Sequence, residues 1–126
     1  MKVMDVMTYP IVTVSPDATV FEAISIMVSG SRGSVLVARQ GLLKEAEGIV
    51  TTTQIFARVL APGLDPKTVR VSEIMTPAPL VTISPEAPAK EAAQVMIRHN
   101  IRRLPVVQGG ALVGIVTSKD LLRCVE

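Results

Sequence analysis

The chain has 126 residues, which suits one compact unit with a hydrophobic core; with 48% apolar residues, only 2% aromatics and no Trp, that core must be built from Val, Ile, Leu, Ala and Met. A net charge of +2 does not point to nucleic acid. The single cysteine, Cys124, excludes an internal disulfide, and no apolar run approaches membrane-span length, so the expected setting is cytoplasmic with no membrane partner.

In chain order the pattern begins with a short lead-in ending at Met7-Thr8. A strand-like segment Val12–Val14 follows, then Ser15-Pro16-Asp17, which marks a turn. Val20, Ala23, Ile24, Met27 and Val28 then recur at the spacing of one buried helix face, with Thr19 and Glu22 resembling a capping box at its start. Two strands are expected at Ser34–Ala38 and Gly48–Thr51, separated by a long charged loop from Arg39 to Glu47, and a short helix at Gln54–Leu60. Ala61-Pro62-Gly63-Leu64-Asp65-Pro66 reads as a linker.

The second half repeats the first. Val71-Ser72-Glu73-Ile74-Met75-Thr76 matches Val3-Met4-Asp5-Val6-Met7-Thr8 at an offset of 68. Val81-Thr82-Ile83-Ser84-Pro85-Glu86 matches Val12–Asp17 at 69, and Gly114-Ile115-Val116-Thr117 matches Gly48-Ile49-Val50-Thr51 at 66. The helix stripe returns as Ala89, Ala92, Ala93, Met96 and Ile97, with Pro88 suited to a first helical position. Strands are expected at Leu104–Val107 and Leu112–Thr117, joined by a tight Gln108-Gly109-Gly110 hairpin, with a last helix at Lys119–Val125 in which Cys124 packs as a small apolar residue. The predicted organisation is a repeat over 1–60, a linker over 61–69 and a second repeat over 70–126. Each repeat is β-α-β-β-α in a mixed α/β (α+β) fold, and the two are related by a pseudo-twofold axis with their sheets packed together.

The ordered blocks, together with Glu22-Ala23, Glu91-Ala92, Arg103-Leu104-Pro105-Val106-Val107 and Gly114–Asp120, resemble the cystathionine-β-synthase (CBS) domain pair over almost the whole chain. The resemblance implies a stand-alone regulatory module without enzymatic activity. It would bind an adenosine-containing ligand (AMP, ADP, ATP, S-adenosylmethionine or NAD) between the repeats, form a homodimer, and pass the signal to an effector protein. By the same resemblance Asp120 receives the ribose hydroxyls, a task suited to a carboxylate that accepts from both at once. Thr117, Ser118 and Lys119, with Arg102 and Arg103, meet the anionic tail, and Pro79, Leu80 and Pro105 border the base. Leu104 is a further expected wall and Val116 is expected in the core. Thr117 and Asp120 have a plainer reading as a helix cap alone. Copy one carries Gln54 where copy two carries Asp120, so it keeps the capping pattern and lacks the carboxylate.

Arg98 and His99 read as a solvated helix end. The repeated methionines read as core, and one histidine without a Cys or acid cluster gives no metal site. A nucleophile–base pair and a Gly-rich phosphate loop ahead of a lysine are both missing from the sequence. The remaining alternatives are a homodimerising interaction module whose clefts are vestigial and, as a further rival, nucleic-acid binding through the Arg102/Arg103 patch, which steep salt dependence would reveal. The mean hydropathy of +0.45, high for a small monomer, fits a covered apolar surface in either case.

Overall fold

The computed structural model describes residues 1–39, 46–123 and 125. The stretch 40–45, within the predicted Arg39–Glu47 loop, and Cys124 lie outside the described residues. In chain order the elements are a 3-10 turn Val3–Asp5, β1 (Thr13–Val14), α1 (Val20–Ser29), β2 (Ser34–Val37), β3 (Gly48–Thr51) and α2 (Thr52–Ile55), which continues as a π-helical stretch Phe56–Leu60. Then come α3 (Val71–Ile74), β4 (Thr76–Pro77), α4 (Ala89–His99), β5 (Arg103–Gln108), β6 (Ala111–Thr117) and α5 (Ser118–Leu122). The fold is mixed α+β, as the repeat pattern predicts. No helix among the described residues is long and apolar enough to cross a membrane.

The chain forms two compact units, residues 12–80 and residues 1–11 with 81–126. The units are offset from the sequence repeats by one element: each repeat's lead-in completes the unit built on the body of the other repeat. In the 12–80 unit the sheet order is β1-β2-β3-β4. The β1–β2 pair is parallel, and β2–β3 and β3–β4 are antiparallel, with Ile49 opposite Thr76 of the second lead-in. The other unit reproduces this order with its outer strands reduced to single bridges. The β5–β6 hairpin is flanked by Ile83, in a parallel bridge to Val106, and by Thr8, in an antiparallel bridge to Ile115. Val81–Ile83 is therefore not a full strand. It contributes only Ile83, which donates from its amide to the Pro105 carbonyl at 3.1 Å and accepts from the Val107 amide at 2.9 Å.

Local chemistry explains the boundaries. The Thr19 hydroxyl accepts from the Glu22 amide at 3.2 Å and starts α1. Pro88 caps α4 from the extended region rather than occupying its first turn, and Asn100 ends that helix in the left-handed conformation. Gly109 (φ 58°) and Gly110 (φ 80°) supply the two positive φ values that a two-residue hairpin of matching twist requires.

Each unit has its own core. Val20, Ala23 and Met27 of α1 pack with Val35, Val37, Val50, Ile55, Val59 and Val71 in one. Val3, Ile83, Ala92 and Met96 pack with Leu104, Val106 and Val116 in the other. The predicted helix stripes are narrower than expected. Val28 is 73% exposed and Ile97 84% exposed, and Ala93 is exposed as well. A helix lying on one sheet face buries the residues directed at that face, while those at the stripe's edge clear it.

Candidate functional site

The end of β6 and the start of α5 form one built feature. Thr117 is the N-cap of α5, and its hydroxyl accepts from the Asp120 amide at 3.3 Å. Asp120 returns the bond, its Oδ2 accepting from the Thr117 amide at 2.9 Å. Reciprocal bonds of this kind satisfy two otherwise orphaned backbone donors. They also hold the carboxylate in place, and Asp120 is only 6% exposed. Its other oxygen, Oδ1, lies 3.5 Å from Nη1 of Arg123, a partner the sequence reading missed and whose signal was its position three residues on.

The hairpin register decides which residues share this feature's side. Arg103 is opposite Thr117 and Pro105 is opposite Ile115, while Leu104 is opposite Val116. Cross-strand partners lie on one face and side chains alternate along a strand. Arg103, Pro105, Ile115 and Thr117 therefore share a face, and Leu104 and Val116, both fully buried, occupy the core face. Thr8 runs along the same edge, its amide donating to the Ile115 carbonyl at 2.8 Å and its carbonyl accepting from the Ile115 amide at 3.1 Å. The repeated Met-Thr pair was the signal for this segment, although the pattern alone does not say which copy's body it borders.

Arg103 carries the site's unusual electrostatics. Its Nε is buried and has no hydrogen-bond partner among the described residues. Burial, reinforced by the neighbouring charge of Arg102, holds the Arg103 pKa below its ordinary value. Both effects mark a guanidinium incompletely compensated by protein groups. Arg102 is exposed and its carbonyl accepts from the Ser118 amide at 2.8 Å, which fixes the start of α5 against the start of β5. Lys119 is exposed beside the cap. Seven of the nine predicted residues thus lie in this unit: Arg102, Arg103, Pro105, Thr117, Ser118, Lys119 and Asp120. Pro79, which is exposed, and Leu80 belong to the 12–80 unit, beyond Ala78, whose amide donates to the Glu47 carbonyl at 2.8 Å. Arg98 and His99 are exposed in the last turn of α4.

The 12–80 unit holds the counterpart. The Thr51 hydroxyl accepts from the Gln54 amide at 3.3 Å, and Gln54 Oε1 accepts from the Thr51 amide at 3.1 Å. The Gln54 side-chain nitrogen donates to the Thr76 hydroxyl of β4. Ser34 is opposite Thr51, in the place Arg103 takes opposite Thr117.

The CBS domain family model matches residues 3–61 and 71–126. The chain belongs to the CBS domain family. This CBS pair is 43% identical over 120 residues to the CBS domain-containing protein YhcV of Bacillus subtilis, covering 95% of this chain and 82% of the relative. It spans between 53% and 64% of the length of three further curated relatives. Among solved structures it is similar to a hexameric CBS-CP12 protein from bloom-forming cyanobacteria, with a TM-score of 0.90 at 36% identity, covering all of this chain (100%) and 72% of that one. It is also similar to the CBS domain pair of protein MJ0100 in complex with 5′-methylthioadenosine and S-adenosyl-L-methionine, with a TM-score of 0.85 at 28% identity, covering 98% of this chain and 94% of that one.

Proposed function

We propose that this CBS pair is a regulatory sensor that takes up an adenosine-containing nucleotide at the Thr117–Asp120 feature and signals its occupancy to a partner protein. The observation that carries the reading is a held, buried carboxylate in the first turn of α5 together with a half-buried guanidinium on β5, directly opposite the threonine that caps that helix. Asp120 accepts from the ribose diol. Arg103, whose Nε lacks a partner among the described residues, meets the phosphate together with Arg102, Lys119 and the Thr117 hydroxyl. Pro105 and the Thr8 segment border the same face. The adenosyl compounds held by MJ0100 support the adenosine end. The local excess of Arg and Lys favours a phosphate over the positively charged sulfonium of S-adenosylmethionine, so AMP, ADP and ATP are the first candidates.

A thermal-shift series with AMP, ADP, ATP, S-adenosylmethionine and NAD, on wild type and Asp120→Asn, tests the reading. Ligand at ~100 times Kd adds about 2.7 kcal/mol, a rise of several degrees in a domain of this size. A rise with a phosphate-bearing ligand that Asp120→Asn removes supports the sensor. No rise with any of them leaves the interaction module with vestigial clefts.

Self-association belongs to the same reading. The two repeats expose apolar residues at matched positions: Val28 with Ile97, and Phe56 (62% exposed) with Leu122 (69%). Apolar residues exposed at matched positions of both copies fit a homodimer contact. The hexameric cyanobacterial relative supports assembly of some order. Sedimentation of Val28→Lys/Ile97→Lys should give a monomer where wild type gives a dimer; a monomeric wild type would remove the homodimer from the proposal.

A further inference from the structure

We infer that Gln54 ties shut the copy-one counterpart of the site, leaving one exchangeable nucleotide position per chain; the inference rests on the nucleotide reading above and deepens it. Both ends of the Gln54 amide are committed within its own unit. The oxygen accepts from the Thr51 amide at 3.1 Å, and the nitrogen donates to the Thr76 hydroxyl. Gln54 therefore joins the cap of α2 to the second lead-in, which is independently anchored. Ile49 pairs with Thr76 in the sheet, and a Cβ on Gly48 would stand 2.6 Å from the Thr76 carbonyl oxygen.

Asp120 at the matching position differs in kind. A carboxylate carries no donor and can only accept, which is what a diol asks of it. An amide offers one accepting and one donating end, and here each already has a partner. The anion side changes in step, because Ser34 replaces Arg103 opposite the capping threonine. Loss of both the diol acceptor and the guanidinium, together with a side-chain tie across the position, converts a ligand site into a structural joint between cap and lead-in. A protein whose two sites were merely diverging would show the substitutions without the tie.

Calorimetric titration of the full chain with AMP, and with S-adenosylmethionine as a second probe, should give one binding event per chain that Asp120→Asn abolishes. Two events in wild type, or an event that survives Asp120→Asn and disappears in Gln54→Ala, would overturn the inference. A ligand-free arm separates it from the nucleotide reading. Gln54→Ala, Thr76→Val and the double variant are melted, and the double should lose no more in Tm than the larger single loss. Additive losses overturn the tie whether or not AMP binds. If wild type takes up neither probe, the nucleotide reading falls and the melting cycle alone decides the role of Gln54.

Discussion

Met7 lies across Gly114, so that a Cβ on the glycine would stand 2.6 Å from the Met7 sulfur and 3.0 Å from the Thr8 carbonyl oxygen. Met75 stands in the same relation to Gly48, at 2.5 Å, with the Thr76 carbonyl at 2.6 Å. A sulfur at the end of a flexible side chain can move, but a backbone oxygen held in a sheet bridge cannot do so cheaply. Gly48→Ala should therefore cost more than Gly114→Ala, with both in the ~1–3 kcal/mol range of overpacked positions. Urea unfolding measures the two. Equal, negligible losses would show that the lead-ins are not packed as described.

Asp120 has a capping role and a proposed ligand role, and two substitutions separate them. Asp120→Asn keeps an oxygen to accept from the Thr117 amide and should melt close to wild type, whereas Asp120→Ala should lose about 1 kcal/mol with the cap. Both should lose the nucleotide-induced rise in Tm. Retention of that rise in Asp120→Asn would return Asp120 to capping alone.

Arg103 separates phosphate from adenosine. Arg103→Leu removes a buried Nε donor that has no partner among the described residues, so the ligand-free protein should be no less stable. Affinity for a phosphate-bearing nucleotide should fall by about tenfold or more, the worth of a charge-assisted bond, while affinity for adenosine should change little. An equal loss for both ligands would place Arg103 in general packing instead.

The offset between repeats and compact units predicts which fragment folds. A polypeptide of residues 12–80 contains β1 through β4 and the lead-in that covers Gly48, and should unfold cooperatively by itself. A polypeptide of residues 1–60, cut at the sequence repeat, lacks β4 and α3 and should show no cooperative transition. Circular dichroism during heating distinguishes them, and a sharp transition in the 1–60 fragment would contradict the exchange of lead-ins.

The Lys2–Glu86 ion pair, at 2.7 Å, ties the first lead-in to the turn before α4. Glu86 raises the Lys2 pKa above its ordinary 10.5, chiefly through the hydrogen bond and then through its charge. Its contribution is thus fully present below the ordinary lysine value and disappears as pH rises through the raised one. Both side chains are more than half exposed, so the effect is small and screened by salt. Lys2→Met should melt slightly below wild type at pH 7 in low salt, and the gap should close in strong alkali or molar salt.

Much of the fold was legible because the repeat imposes three matched blocks at once, and because Gly-Gly, Ser-Pro and Thr-x-x-Gln/Asp are local signals with fixed geometries. The strands of both hairpins and the caps at Thr51 and Thr117 fall where those signals put them. What local pattern could not carry was long-range pairing. Met-Thr at 7–8 and at 75–76 looks the same in either copy, and only packing assigns each pair to the other copy's glycine. The reduction of Val81–Ile83 to one bridge has the same origin, since a β-branched run states a propensity and its partner decides the outcome. At the candidate site the sequence supplied the residue types. The register that sets Arg103 opposite Thr117, and the tie from Gln54 to Thr76, came only with the fold.

Because the 12–80 unit is continuous in sequence while its companion joins residues 1–11 to residues 81–126, the two become foldable at different moments of synthesis. A growing chain can complete the first as soon as Leu80 has cleared the ribosome. Residues 1–11 must wait, with Val3 and Met7 uncovered, until the β5–β6 hairpin follows, and must then close a long loop that is already partly condensed. Until then that short apolar lead-in is open to chaperones and to pairing with the same segment of a neighbouring nascent chain.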